Sequence, residues 1–300
     1  MAGQVNKIKE KCMADRVFGA AIIILSIITF IVIIYPLWFV IIASISNSNM
    51  VNQGKVVFWP KDINFYGYKQ ILQDARIWKG YLNTIFYVGA GTALNMIVTM
   101  PAAYALSRPD FKGRGKIMFY FVFTMFFSGG LVPLYMTISS LGLISTKTIL
   151  VIMVLVNTYN LIIARTFIES SIPNDLYEAA VIDGCSHFRY FFSVVIPLSK
   201  AVIAVLVLYY AVFHWNDFFN ALMFNSNNDN EPLQITLRSI LLLNEAFANG
   251  TGAGAGGYGQ AFADQVKYAA IIVSTVPILC VYPFIQKYFE KGVMIGAVKG

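Results

Sequence analysis

The chain has 300 residues, of which 58% are hydrophobic, 15% aromatic and only 12% charged, with a formal net charge of +7. The charged share is about half that of an ordinary soluble domain, so lipid has to cover apolar surface that the polar residues cannot. The positive charge fits Lys and Arg collected in cytoplasmic loops of a membrane protein. No basic patch interleaved with aromatics lies outside the apolar runs, which argues against a nucleic-acid partner.

Cys12, Cys185 and Cys280 are odd in number and far apart, a pattern of neither a disulfide framework nor a zinc site. With His187 and His214 the only histidines, no metal-ligand cluster is visible, and no cofactor is expected on this chain.

Taken in order, residues 1–16 form a basic cytoplasmic segment (Lys7, Lys9, Lys11, Arg16). The apolar run at 17–45 is too long for a signal-peptide core and lacks a small-x-small cleavage site, so it reads as a retained first span. Runs of about 20 apolar residues or more recur near 81–107, 116–138, 148–169, 197–222 and 266–289. The expected fold class is an all-α integral membrane protein with six transmembrane helices over 17–289, followed by a cytoplasmic tail at 290–300. Pro36, Pro101, Pro133, Pro277 and Pro283 fall inside these runs, which membrane helices tolerate. Fourteen of the 22 Lys and Arg fall on one side of this arrangement, among them Arg108, Lys112, Arg114 and Lys116 in one short loop. Both termini are therefore expected in the cytoplasm. Two long outer segments remain. Residues 46–80 carry Tyr68, Ile71, Leu72 and Ala75 at helical spacing. Residues 224–265 carry an Asn-rich patch, then a short helix after Pro232 with Leu233, Leu237, Ile240 and Leu241.

Gly252, Gly254 and Gly257 match a Gly-x-Gly-x-x-Gly spacing, but no strand feeds the tract and no βαβ unit contains it, so it reads as a linker. No Walker A motif occurs, and any ATP must be bound by another subunit. No internal repeat of the kind common in secondary transporters is visible.

The loop 172–197, between the fourth and fifth runs, is different in character. Pro173 suits a first helical turn, and Asn174, Asp175 and Glu178 bring polar or acidic groups to the positive end of the helix dipole. Leu176, Ala179, Ala180 and Val181 give an apolar side, Gly184 permits a sharp bend, and His187 to Phe192 leads back to the membrane, where Pro197 opens the fifth span. A short helix, a glycine bend and a second short helix form an element that can transmit force to a partner.

Glu178-Ala179-Ala180, then Gly184, then Val194-Val195-Ile196-Pro197 resembles the EAA signature of ABC importer permeases, with Val and Ile replacing the usual Ile and Leu before the proline. Gly80-Tyr-Leu-Asn-Thr84, the stretch His214 to Ala221, Pro232-Leu-Gln234 with Arg238, and the tail Gln286 to Gly296 look like the maltose-type carbohydrate group. They look most like its oligosaccharide and complex-polysaccharide branch. The resemblance implies a multi-pass permease of a bacterial cell membrane, with a coupling loop (Glu178, Ala179, Ala180, Asp183, Gly184, Pro197) that docks on an ATPase. It implies a second permease subunit, two ATP-binding subunits that use ATP and Mg, an extracellular solute-binding protein and an oligosaccharide substrate, with no bond chemistry on this chain.

Polar residues are costly inside spans and so face a cavity or another helix. Asn95 in the second run, Asn157 and Asn160 in the fourth, and His214, Trp215, Asn216 and Asp217 in the fifth are such residues; all but Asn95 are the candidates for lining a sugar path, and the other reading of them is helix–helix contact. A secondary transporter or channel subunit is the alternative function, with Asp217 its acidic candidate. A membrane-embedded enzyme lacks any paired carboxylates, His-rich cluster or nucleophile–base arrangement in the sequence.

Overall fold

The computed structural model describes residues 13–248, 265–280 and 283. Every regular element among them is helical. The described residues divide into two compact units, one within 13–70 and 244–272, the other within 71–243 and 273–283.

In the first unit, α1 (Met13–Ser44) is apolar on all sides and exposes its Ile, Val and Leu side chains nearly throughout. A helix of that kind needs lipid around it. Val17–Ser44 is long and apolar enough to cross a membrane, as the run at 17–45 leads one to expect. Only its end is covered: Ile42 and Ala43 are buried with Val51 and Val56, and Phe39 and Tyr268 pack on them. The short α2 (Ser48–Asn52) is capped by Asn47. The Ser44 hydroxyl lies 2.8 Å from the Tyr68 hydroxyl, and Gln265 Nε2 donates to the Asn64 carbonyl at 2.7 Å. The expected surface helix near Tyr68 is α3 (Tyr66–Gln73).

In the second unit α4 (Ala75–Ser107) is the axis and the other long apolar helix. Its buried stripe, Thr84, Tyr87, Gly91, Asn95, Thr99 and Ala103, advances by three or four residues, the period of one helix face. Asp74 caps it: Oδ1 accepts from the Arg76 backbone N–H at 2.9 Å, and Oδ2 accepts from the Arg76 guanidinium at 2.7 Å. The Arg76 side-chain hydrogen bond holds the Asp74 carboxyl below its ordinary 3.8. Asp74→Ala should therefore lower stability by about 1 kcal/mol. Because the folded value is depressed, that contribution is complete above about pH 4 and is lost as pH falls through the lowered folded value. A wild-type minus variant difference that does not shrink as pH falls below about 4 would contradict this assignment.

The other expected spans are interrupted. The run at 116–138 is two helices, α5 (Arg114–Phe126) and α6 (Leu131–Ser140), set 114° apart across residues 127–130. Gly129 and Gly130 lie in that break, and glycine is the poorest helix former but proline. The run at 148–169 is α7 (Lys147–Ile152) and α8 (Thr158–Ser171), separated by residues 153–157. A loop helix, α9 (Asn174–Ile182), follows.

Rather than opening a span, Pro197 is the middle residue of a three-residue turn. The chain enters through α10 (His187–Tyr190), makes a π turn at Phe191–Val195, and passes through α11 (Ile196–Leu198) to a bend of 82° before α12 (Lys200–Trp215). Proline lacks the N–H for the ladder and crowds the carbonyl a turn earlier, so the helix is disrupted beside it. The run at 197–222 ends in a separate helix, α13 (Phe219–Phe224). After Pro232 comes α14 (Leu233–Ala248), as expected. The run at 266–289 is described as helix α15 (Gln265–Cys280). The tail Gln286 to Gly296, the glycine tract at 252–257 and the basic segment at 1–12 lie outside the described residues. By length and composition two helices can cross a membrane, or up to four if each bent pair is one span.

Candidate functional site

The loop between α8 and α12 is built by local hydrogen bonding. Pro173 has φ −60° and ψ 145°, so it stands just before α9 rather than within its first turn, and Asp175 faces the positive end of the helix. At the other end Gly184 has φ +73°. The Cys185 N–H donates to the Ala180 carbonyl at 2.8 Å and the Gly184 N–H to the Val181 carbonyl at 3.0 Å. This is a left-handed helix stop, which glycine enters without the Cβ penalty of other residues. Ser186 then caps α10 by accepting from the Arg189 N–H at 3.4 Å.

None of α9 is buried. Glu178, Ala179, Asp183 and Gly184 are exposed, and Ala180 packs partly against the core. Val181, Ile182 and Phe188 present 49%, 87% and 81% of their surface, exposed apolar side chains on the loop. What holds the loop in place is Tyr177, which the sequence did not single out. Its ring stacks on His187 with centroids 5.3 Å apart and meets Tyr190 edge-on at 5.2 Å. The Arg108 guanidinium lies 3.6 Å from the Tyr177 ring centroid and donates to Asn174 Oδ1 at 3.1 Å. Arg108, at the C-cap of α4, thereby ties the loop to the axial helix.

The polar residues inside the expected spans form local pairs rather than one cluster. Asn157 caps α8, its side chain accepting from the Asn160 N–H at 3.2 Å, and Asn160 is buried. His214 is buried, its Nε2 2.8 Å from Asn95 Oδ1. Asn95 Nδ2 donates to the carbonyls of Val154 and Leu155 at 2.6 and 2.9 Å, the groups freed where α7 and α8 separate. Tyr210 repeats the device a turn away: its hydroxyl lies 2.8 Å from Thr99 Oγ1 and accepts from the Asn157 N–H at 3.2 Å. Two residues from α4 and two from α12 thus clamp the interruption. A Cβ on Gly91 would fall on the His214 ring, so only glycine leaves that ring its place.

Trp215 Nε1 donates to the Ser274 carbonyl at 3.3 Å, Asn216 Nδ2 to the Val212 carbonyl at 2.9 Å, and Asp217 Oδ1 accepts from Asn220 Nδ2 at 2.8 Å. His214 Nδ1 and Asp217 Oδ2 are buried without a hydrogen-bond partner. The sequence marks Asn95 as an amide within an apolar run but not as a candidate for the sugar path, and Thr99 and Tyr210 escape it altogether.

At the opposite end of α4 the Asn-rich segment folds back on the helix. Asn83 Nδ2 donates to the Asp229 and Glu231 carbonyls at 2.9 and 3.0 Å, Tyr87 donates to the Asn230 carbonyl at 2.7 Å, and Lys79 pairs with Asp229. The Leu233 N–H donates to Thr84 Oγ1 at 2.8 Å, and a Cβ on Gly80 would lie 2.9 Å from Thr236 Oγ1. The stretches 80–84 and 232–234 are therefore packing partners. Among the described residues no group of three or more His, Cys, Asp or Glu could hold a metal ion.

Comparison with known proteins agrees in kind. Residues 12–295 match the family described as binding-protein-dependent transport system inner membrane component. The chain is 36% identical over 288 residues to the polygalacturonan/rhamnogalacturonan transport system permease protein YtcP of Bacillus subtilis (strain 168), covering 96% of this chain and all of that one. It is 36% identical over 273 residues to Protein LplC of the same organism, covering 89% and 90%. Among solved structures it is similar to a chain of a bacterial ABC transporter involved in the import of the acidic polysaccharide alginate, with TM-score 0.83 and 34% identity over 93% of this chain and 98% of that one.

Proposed function

The chain belongs to the family of binding-protein-dependent transport system inner membrane components, and from that membership we propose that it forms one half of the transmembrane pore of an ATP-driven importer of oligosaccharides or polysaccharide fragments. The observation that carries this reading is the likeness, over nearly the whole chain, to permeases named for polysaccharide import. A second permease completes the pore. Two separate ATPase subunits, using ATP and Mg, close and pull on the coupling loops, and an extracellular binding protein delivers the sugar. Six spans cross the membrane with both termini in the cytoplasm, the bent pairs α5/α6 and α10–α12 and the broken pair α7/α8 each counting as one. A switch between inward- and outward-facing states is then a rigid-body change between two packings.

Within this reading Glu178, Ala179, Ala180, Asp183 and Gly184 form the docking element, supported by the exposed α9 and the exposed apolar side chains of Val181, Ile182 and Phe188. Pro197 sets the bend by which the loop joins α12. Sugar contact is proposed for the segment His214–Asp217 and for Asn157 and Asn160; the unpartnered His214 Nδ1 and Asp217 Oδ2 can bond sugar hydroxyls when the pore opens. Trp215→Ala should lower sugar uptake more than basal ATPase activity of the complex, whereas an equal loss in both would leave Trp215 a packing residue only. Polygalacturonan and alginate are both uronic-acid polymers, so an acidic oligosaccharide is the substrate to try first. Copurification tests the assembly: an ATPase and a second permease should come down with the chain without crosslinking, and a chain that stays alone would overturn the reading.

A further inference from the structure

A cavity of about 490 Å³ opens beside the start of α9, bounded by the end of α4, the start of α5, the end of α8 and the π turn. Its lining includes Arg108, Arg114, Arg165, Glu169, Tyr104 and Tyr190. Glu169 accepts from Arg165 at 2.7 Å and lies 3.6 Å from Arg114, and Asp110 pairs with Arg108 at 3.1 Å. Three guanidiniums against two carboxylates leave one positive charge unbalanced. Tyr104 and Tyr190 are only 9% and 1% exposed, and neither hydroxyl has a hydrogen-bond partner. Two buried phenols without acceptors, on residues that line a cavity with surplus guanidinium charge, suit an anion that offers several oxygens.

Tyr104 also lines a second, apolar groove of about 290 Å³, formed with Pro101, Ala105, His187, Phe188, Phe191 and Phe192. Phe188 and Phe192 remain 81% and 65% exposed along it. A cationic, donor-rich cavity and an apolar groove that share one tyrosine complement a molecule with an anionic head and a hydrocarbon chain.

We propose that the two cavities together bind one anionic phospholipid, its phosphate among Arg108, Arg114 and Arg165 with the Tyr104 and Tyr190 hydroxyls, and an acyl chain along the groove. Arginine suits the head because its planar fork gives paired donors to a phosphate. The site shares Phe188 with the proposed docking element but takes up neither sugar nor nucleotide, and its failure would leave the importer reading untouched.

The test is native mass spectrometry of the purified complex incubated with equal amounts of phosphatidylglycerol and phosphatidylcholine. The wild type should retain phosphatidylglycerol at least about fivefold over phosphatidylcholine, the scale of one basic residue's attraction to an anionic lipid. Arg114→Gln, whose guanidinium is held at 3.4 and 3.6 Å only, should bring that ratio close to parity. Tyr190→Phe keeps the ring, removes the unpartnered hydroxyl and should lower the ratio as well, so the test survives if either variant fails to fold. Equal retention of the two lipids by the wild type, or wild-type ratios in both variants, would overturn the proposal. Saturable binding of glycerol phosphate in a complex that retains no lipid would overturn the lipid assignment.

Discussion

Replacing Gly184 with valine should reduce ATP-driven uptake by more than about tenfold while the protein still inserts in the membrane. The reason is backbone conformation, not crowding. A Cβ at this position meets nothing within 4 Å, but φ is +73°. An L-residue there costs about 1–2 kcal/mol, and a β-branched one more. Every 1.4 kcal/mol against the bent conformation lowers its population about tenfold, and a partner that docks on the bent form loses apparent affinity in proportion. Asparagine tolerates the left-handed region, so Gly184→Asn should keep most of the activity. If valine and asparagine behave alike, the helix stop is not what positions the loop. Uptake and ATPase assays on the same preparations separate loss of coupling from loss of protein.

The second large effect is expected at Asn95. Asn95→Leu keeps the branched shape but removes both donors to the Val154 and Leu155 carbonyls and the acceptor of the His214 ring. Buried polar groups left without partners cost about 1–3 kcal/mol each, and hydrogen bonds between membrane helices have measured nearer 0.6 to 2. Three lost bonds then amount to about 2–5 kcal/mol, a fall of roughly 5–15 °C in apparent melting temperature for a chain of this size. His214→Ala removes only one of the three and should cost less. A His214→Ala penalty equal to or above that of Asn95→Leu would mean that Asn95 does not carry the interruption between α7 and α8.

The same residues explain what the sequence reveals and what it conceals. α1 and α4 were legible because an unbroken apolar run must be helical and surrounded by lipid or protein. The loop 172–197 was legible because its hydrogen bonds are local: a helix start, a glycine stop and a serine cap are written within a few residues of each other. The interrupted spans were not. The break at 153–157 exists because Asn95, about 60 residues earlier in the chain, satisfies the carbonyls it frees. A hydropathy window averages across such a break and reports one continuous run. The tie between Arg108 and Tyr177 is likewise a contact between residues far apart in sequence, marked by nothing at either position. His214 was visible as a costly group in an apolar run, but its partner Asn95 and the space left by Gly91 are tertiary facts.

The central claim is that this chain transports sugar only when a separate ATPase acts on its loop. Reconstitution in proteoliposomes measures this directly, with the chain, its sister permease, the ATPase and the binding protein, and a labelled acidic oligosaccharide outside. Uptake should require ATP at the ATPase face, stop when the ATPase is omitted, and fall with Gly184→Val. Sugar accumulation by this chain without the ATPase, driven by an ion gradient instead, would contradict the account.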